Sequence, residues 1–393
     1  MIGASSGVTI TADPTGAIAY PAAGNALSVT ATVGTAGQTG GITITGGNII
    51  NRSNGGSVSF VTNGDLTETS AVNFATANTS SGAQSITYDT RTGNATSQIT
   101  TGSFTYNATG ATQKVNYIEE SNGSNLTIGN ASSTIALSGY IKVDNTNSGA
   151  LTPSITPTTL NETTLAGVTA AGASITAGDY IYIAGINNSA TVNAVALGAA
   201  ALTVTSSSTA STAITVIGNH NTANIGNPGV TSTGTIAIQS NGGGMLFQSN
   251  GDISQTGSVT LAANTSGHAQ AITYDTTSGN SNSGLTVGSA AGALTSAGAS
   301  SASPVNVTFK AAGIIAASGA ITESGAGPMN VTMQSFDASN PGGAIVGSNI
   351  YIAGSITTKG GNLVLDGTGG TISGTTITPG TITNGGVTTA VLR

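Results

Sequence analysis

Asn63-Gly64-Asp65-Leu66 and, further on, Ile86-Thr87-Tyr88-Asp89-Thr90 return later in the chain as Asn250-Gly251-Asp252-Ile253 and Ile272-Thr273-Tyr274-Asp275-Thr276. Between these blocks Ala77-Asn78-Thr79-Ser80 matches Ala263-Asn264-Thr265-Ser266, and beyond them Gly93-Asn94 matches Gly279-Asn280. The first block is displaced by 187 positions (250 minus 63) and the later one by 186 (272 minus 86), so one residue has been lost between the copies. A turn between strands absorbs such a loss. The shared residues are mostly turn formers and alternating strand residues, which makes the repeat a structural module. It predicts a register: Tyr88 and Tyr274 occupy equivalent positions, on the same side as Ile86 and Ile272.

Outward from this stretch the rhythm persists. Val8-Thr9-Ile10, Leu27-Ser28-Val29, Ile42-Thr43-Ile44, Leu126-Thr127-Ile128 and Leu363-Val364-Leu365 are short β-branched or aliphatic bursts set between Gly, Asn, Asp and Ser. Alternation sends Ile42 and Ile44 to one face and Thr43 to the other, so each burst has a buried and a solvated side. Bursts this short cannot fold alone, and a return every 20 to 25 residues or so falls where solenoids are found. The fold expected is all-β, a parallel β-helix (β-solenoid), with coils over 1–150 and 217–393. About fifteen coils at about 4.8 Å each give a rod on the order of 70 Å.

Residues 151–216 differ in texture. Pro153 and Pro157 cannot donate to a ladder, and Asp179-Tyr180-Ile181-Tyr182-Ile183, Thr191 to Val195 and Leu202 to Thr205 have the spacing of an antiparallel meander. The segment reads either as a small antiparallel β insertion that rejoins the rod near Ile217 or as irregular coils. Ile350-Tyr351-Ile352-Ala353-Gly354 repeats Ile181-Tyr182-Ile183-Ala184-Gly185 inside ordinary coil, which counts against an insertion and leaves the two readings even.

Composition narrows the class of function. Of 393 residues only 5% are charged, against about a quarter in an ordinary domain, 4% are aromatic and 58 are glycine. A hydrophobic content of 38% argues against a disordered linker. Seven Lys and Arg against 14 Asp and Glu leave no basic patch for nucleic acid or an anionic membrane. There is no cysteine, hence no disulfide or thiolate chemistry. The opening residues lack the basic and apolar regions of a secretory signal, and the most apolar run, Ala194 to Val204, is too short to cross a bilayer.

Gly251-Asp252-Ile253, Gly257-Ser258-Val259-Thr260-Leu261-Ala262, Gly64-Asp65-Leu66 and Gly361-Asn362-Leu363-Val364-Leu365 carry a resemblance to the filamentous haemagglutinin-like adhesins of bacteria. That resemblance implies a right-handed parallel β-helix, secretion to the bacterial cell surface and a non-enzymatic shaft that mediates attachment. The implied partner is a glycan or protein on a host or neighbouring cell, with end-to-end self-association of the rod as a further expectation. The Asn-Pro-Asn motifs of a secretion domain do not occur, and Asn227-Pro228-Gly229 and Asn340-Pro341-Gly342 read as turns.

Chemistry-bearing constellations are sparse. A glycan-degrading β-helix enzyme, the alternative reading, needs clustered carboxylates or a basic residue beside bound calcium on one outer face. Asp89 and Arg91 stand two apart, but the second copy has Thr277 in place of the arginine. His220 and His268, the two histidines, read as surface residues, and Asp366-Gly367-Thr368-Gly369-Gly370 is one isolated echo of a calcium-binding repeat. The Gly-Asp starts at Asp65, Asp179 and Asp252 suit carboxylates that accept backbone N–H bonds at a turn. No catalytic residue, metal ligand or cofactor site is expected. Four tyrosines remain: with Ile181 and Ile183 inward, Tyr180 and Tyr182 point out, as do Tyr140 beside Ile141 and Tyr351 between Ile350 and Ile352. Outward rings can stack on sugars or shield a strand. The Thr-x-Thr phrases at Thr43/Thr45, Thr376/Thr378 and Thr381/Thr383 are too irregularly spaced to predict an ordered threonine face. A self-assembling surface-layer or filament protein is the third reading.

Overall fold

The computed structural model describes the backbone of strands between Ile2 and Leu392, side chains at 29–30, 41–44, 58–62, 65–68, 86–89, 175 and 180–185 and, with most side chains, the segments 193–204, 212–220, 228–239, 243–262, 270–279, 283–298, 303–335 and 350–366. No helix occurs among the described residues. Among the described residues each turn of chain except the last contributes one strand to each of three faces, and strands away from the ends pair in parallel with their counterparts one turn below and one turn above. A thirteen-stranded sheet runs from Asn25–Ala31 to Ala390–Leu392, and a twelve-stranded sheet from Ile2–Gly3 to Ile350–Ile352. The third face is a four-stranded sheet that ends at Phe104–Tyr106 and then a nine-stranded sheet from Thr134–Leu137 to Gly380–Thr383. The chain is a parallel β-solenoid.

Most turns are longer than the 20 to 25 residues expected from sequence. Ile42 pairs with Leu66, 24 residues on, but Ile181 pairs with Ile214 after 33 and Ile141 with Ile181 after 40. The strands are short, so the surplus sits in the corners. Twelve steps of about 4.8 Å across the thirteen-stranded sheet span roughly 58 Å, less than the 70 Å that shorter turns would give.

The antiparallel insertion expected within 151–216 is not what its described strands form. Ser174–Ala177 pairs in parallel with Thr134–Leu137 on one side and Ala201–Val204 on the other. Ile181–Asn187 likewise lies in parallel between Tyr140–Asn145 and Thr212–His220. Alternation in sequence fixes which side chains share a face and leaves pairing direction to where the returning chain lands. Here it lands one turn up. Pro153 and Pro157 lie outside the described residues.

Inside the tube like residues stack. The thirteen-stranded sheet buries Ile181, Ile214, Met245, Ile272, Val307, Val331 and Leu363 in one file, and the other two faces supply files such as Val230, Ile253, Leu285, Ile315 and Ile236, Val259, Leu294, Ile321. Each fully buried aliphatic contributes about 1.5–3 kcal/mol relative to exposure, so the core grows along the axis as fast as the chain does.

The duplicated stretch falls into this scheme as predicted. Tyr88 and Tyr274 are both wholly buried, on the inward side with Ile86 and Ile272. Tyr88 pairs with Phe60 and stacks on it at 5.5 Å and 18°. Tyr274 lies between Phe247 and Phe309, at 5.5 Å from each and nearly coplanar with Phe309 at 9°. Such pairs add about 0.5–1.5 kcal/mol beyond area burial. Burial pushes the Tyr274 phenol well above its ordinary value, so it stays protonated and donates to Gln255 Oε1 at 3.1 Å. Gln255 Nε2 in turn donates to the Gly257 carbonyl at 2.6 Å. The repeated tyrosine thus braces a corner of its own module.

That corner is built of glycine. Gly234, Gly257, Gly292, Gly319 and Gly354 each stand two residues ahead of an inward Ile, Val or Leu of the nine-stranded sheet. A Cβ on Gly257 would collide with the Gly234 carbonyl oxygen, one on Gly319 with that of Gly292, and one on Gly354 with that of Gly319. The Gly-Ser-Val and Gly-Ala-Ile phrases therefore record a place where successive turns touch backbone to backbone.

Candidate functional site

Alternation leaves one outward position in the middle of each three-residue strand. On the twelve-stranded sheet Thr43, Thr67, Thr100, Thr127 and Thr169 occupy successive paired positions, followed by Ala196, Thr231, Ser254, Thr286, Ala316 and Tyr351. The nine-stranded sheet repeats the arrangement with Thr176, Thr203, Ala237, Thr260, Thr295, Thr322 and Thr357. Where the side chains are described, these positions are open or partly open and their neighbours on either side are buried, as at Thr260 between Val259 and Leu261, except that Ile352 beside Tyr351 is only partly buried. Among the described side chains, two faces of the tube thus carry files of short, uncharged, hydroxyl-rich groups on strands spaced at about 4.8 Å. Irregular turn length hid this order in the sequence, because the corners absorb the irregularity and the strands do not. Of the Thr-x-Thr phrases, Thr43 belongs to such a file; Thr376 and Thr378 lie outside the described residues.

At the upper end of the twelve-stranded sheet the file closes on Tyr351, 49% exposed, which pairs with Ala316; Ile314, two residues before Ala316 in the chain, is 47% exposed. These are the large hydrophobic side chains that stand open among the described residues. Tyr351 therefore presents its ring to solvent, as its position between Ile350 and Ile352 predicts.

Tyr182 does not. It faces away from the core as alternation requires, yet it is only 3% exposed, in a small apolar cluster with Ala184 and Ile217 against which Tyr180 packs partly buried. This cluster is separate from the tube's interior. A ring so enclosed has no face to offer a sugar, which corrects the expectation for Tyr182 as a contact residue. Tyr140 starts the strand Tyr140–Asn145 and pairs with Lys114. Its side chain lies outside the described residues.

His220 is also corrected: it is 4% exposed, not a surface residue. Its ring Nε2 lies 2.7 Å from the Pro228 carbonyl, and since a carbonyl can only accept, Nε2 carries the proton. Nδ1 is buried without a partner among the described residues. Around it the corner is tied by side-chain amides. The His220 N–H donates to Asn250 Oδ1 at 2.7 Å, Asn250 Nδ2 returns a bond to the His220 carbonyl at 2.7 Å, and the Asn250 N–H donates to Asn219 Oδ1 at 3.0 Å. Asp252, next along, accepts the Gly284 N–H at 2.7 Å. It does take a backbone N–H, but from the next turn and not from its own. Burial raises the Asp252 carboxyl above its ordinary value, and the Gly284 bond and the nearby His220 charge oppose that. His268, Arg91 and Asp179 lie outside the described residues.

Other acidic groups are likewise occupied with structure. Asp275 Oδ1 accepts the Thr277 N–H at 2.8 Å and its hydroxyl at 2.6 Å, closing an Asx turn at the position where the first copy has Arg91. Glu323, 1% exposed, accepts the Gly325 N–H at 2.5 Å, and Lys359 Nζ caps the same corner through the Ser324 and Gly325 carbonyls at 2.9 and 2.7 Å. Among the described residues no group of three or more His, Asp or Glu converges as a metal site would require. Comparison with family models, curated proteins and solved structures finds no match.

Proposed function

We propose that this β-solenoid is a non-enzymatic, adhesive shaft segment of a secreted bacterial surface protein. It holds binding surface away from the cell and attaches through many weak polar contacts to a glycan or protein on another surface. The observation that carries the reading is the stacking of uncharged hydroxyl files on two faces, with Tyr351 open at the end of one. Such a face can repeat the same modest contact at every turn. Tyrosine adds an apolar ring with a polar tip, the combination that serves sugar and protein contacts. The carboxylates with described partners bind backbone groups at corners, which supports a scaffold over a catalyst. The resemblance of the Gly-Asp-Ile and Gly-Ser-Val-Thr-Leu-Ala phrases to the haemagglutinin-like adhesins supports the cell-surface setting.

The test is binding of the purified chain to a glycan array and to bacterial and epithelial cells, with Tyr351→Ala in parallel and a reducing-sugar assay on every glycan bound. Saturable binding weakened by Tyr351→Ala, without release of sugar ends, is expected. Release of sugar ends would replace the shaft with a glycan-degrading enzyme. Filaments that grow with concentration, without binding to any surface, would replace it with a self-assembling surface layer.

A further inference from the structure

Asn250-Gly251 is the most chemically fragile kind of pair in a polypeptide, because glycine offers no side chain to hinder attack by its own nitrogen on the preceding amide. In that reaction the Gly251 nitrogen loses its proton and bonds to Asn250 Cγ, and Nδ2 leaves as ammonia. Water then opens the resulting succinimide at either carbonyl, giving aspartate or isoaspartate at position 250. Only water is consumed. The reaction needs a free Gly251 nitrogen and an Asn250 side chain able to rotate over it.

The corner denies both. The Asn250 amide is held at its two ends by the His220 main chain, at 2.7 Å each. Its own N–H is held by Asn219 Oδ1 at 3.0 Å. The Gly251 N–H, the nucleophile-to-be, donates to Ser249 Oγ at 2.9 Å, and that hydroxyl donates to the Gly218 carbonyl at 2.5 Å. Gly251 itself is buried.

We propose that Asn250 is a latent modification site gated by the fold, protected while this corner is closed and deamidated when it opens. The product cannot restore the corner. A carboxylate in place of the amide loses the Nδ2 donor, faces the His220 carbonyl with oxygen against oxygen, and adds negative charge beside Asp252. Opening of this corner is thereby recorded as an irreversible change of charge.

The experiment follows aspartate and isoaspartate at position 250 by peptide mass spectrometry during incubation at mildly alkaline pH. It uses the full chain, its Ser249→Ala and Asn219→Ala variants, and an unfolded peptide spanning residues 244–257 as reference. Circular dichroism reports whether each variant keeps its strands. With several hydrogen bonds to break before reaction, the folded chain should react roughly 100-fold more slowly than the peptide. Ser249→Ala, which frees the nucleophile, should recover about fivefold to tenfold of that. Equal rates in folded chain and peptide overturn the proposal whether or not a variant folds. Protection that survives unchanged in both folded variants overturns the assigned bonds. Asn250→Asp should lower the melting temperature, and wild-type stability in that variant overturns the claim that the corner cannot reclose.

Discussion

Replacing Gly319 with alanine tests the architecture where it is tightest. A Cβ there would run into the Gly292 carbonyl oxygen and also stand 3.0 Å from Gly288 Cα and 3.1 Å from Ser289 N, all backbone atoms, where ordinary contact begins near 3.4 Å. No flexible side chain can move aside, so two successive turns must separate. Overpacking of this kind costs about 1–3 kcal/mol. The separation also strains the Leu294 N–H to Ala320 carbonyl bond, 2.8 Å long and one residue away, a net loss of about 1 kcal/mol if it breaks. Gly198 is the matched control: its φ of 53° disfavours alanine, but a Cβ there meets nothing within 4 Å. The conformational cost alone is about 1 kcal/mol. Urea unfolding of the two variants beside the wild type should show Gly319→Ala destabilised by about 2–4 kcal/mol and Gly198→Ala by about a third of that. If Gly319→Ala proves no worse than Gly198→Ala, the glycine file is not a backbone contact and the corner has been misread.

Further consequences can be measured separately. Tyr274→Phe keeps the ring stack and removes the phenol that donates to Gln255, so a loss of about 1–3 kcal/mol is expected, and a neutral result in thermal unfolding would show that Gln255 finds another donor. Tyr182→Ala should cost about 3 kcal/mol or more and Tyr351→Ala within about 0.5 kcal/mol, since one ring is enclosed and the other open; equal losses would refute that distinction. For Asp252 the folded-state value is raised, so the folded protein binds the proton more readily than the unfolded chain does. Wild-type stability should therefore rise as pH falls through the window between the raised folded value and the ordinary carboxylate value. Asp252→Asn, which can still accept the Gly284 N–H, should flatten that slope, and identical pH profiles for the two proteins would show that burial does not govern this carboxyl.

The corrections share a cause. Tyr182 and Tyr351 sit in identical phrases, Ile-Tyr-Ile-Ala-Gly, and alternation points both outward. Only Tyr182 meets a neighbouring turn that supplies Ile217, and so only it is enclosed. His220 stands among Gly and Asn residues, the usual company of an exposed turn, yet it is buried because Asn250 and Pro228, 30 and 8 residues away, close over it. The turns outrun the sequence rhythm for a related reason: strands announce themselves in sequence, whereas a corner can lengthen by several residues without disturbing the ladder on either side.

What the sequence determined by itself is the strand: its alternation, its inward and outward residues, and the glycines that allow turns to touch. From those came the parallel solenoid and the equivalence of Tyr88 and Tyr274 within the repeat. Register was the contribution of the tertiary structure, because hydrogen bonds between turns align residues 23 to 42 positions apart, a distance over which the sequence carries no fixed count. That alignment gathered scattered threonines into files, enclosed Tyr182 and His220, left Tyr351 open and locked the Asn250 amide. Each of these depends on which residue lies one turn above or below, and that neighbour is set by the length of the corners between.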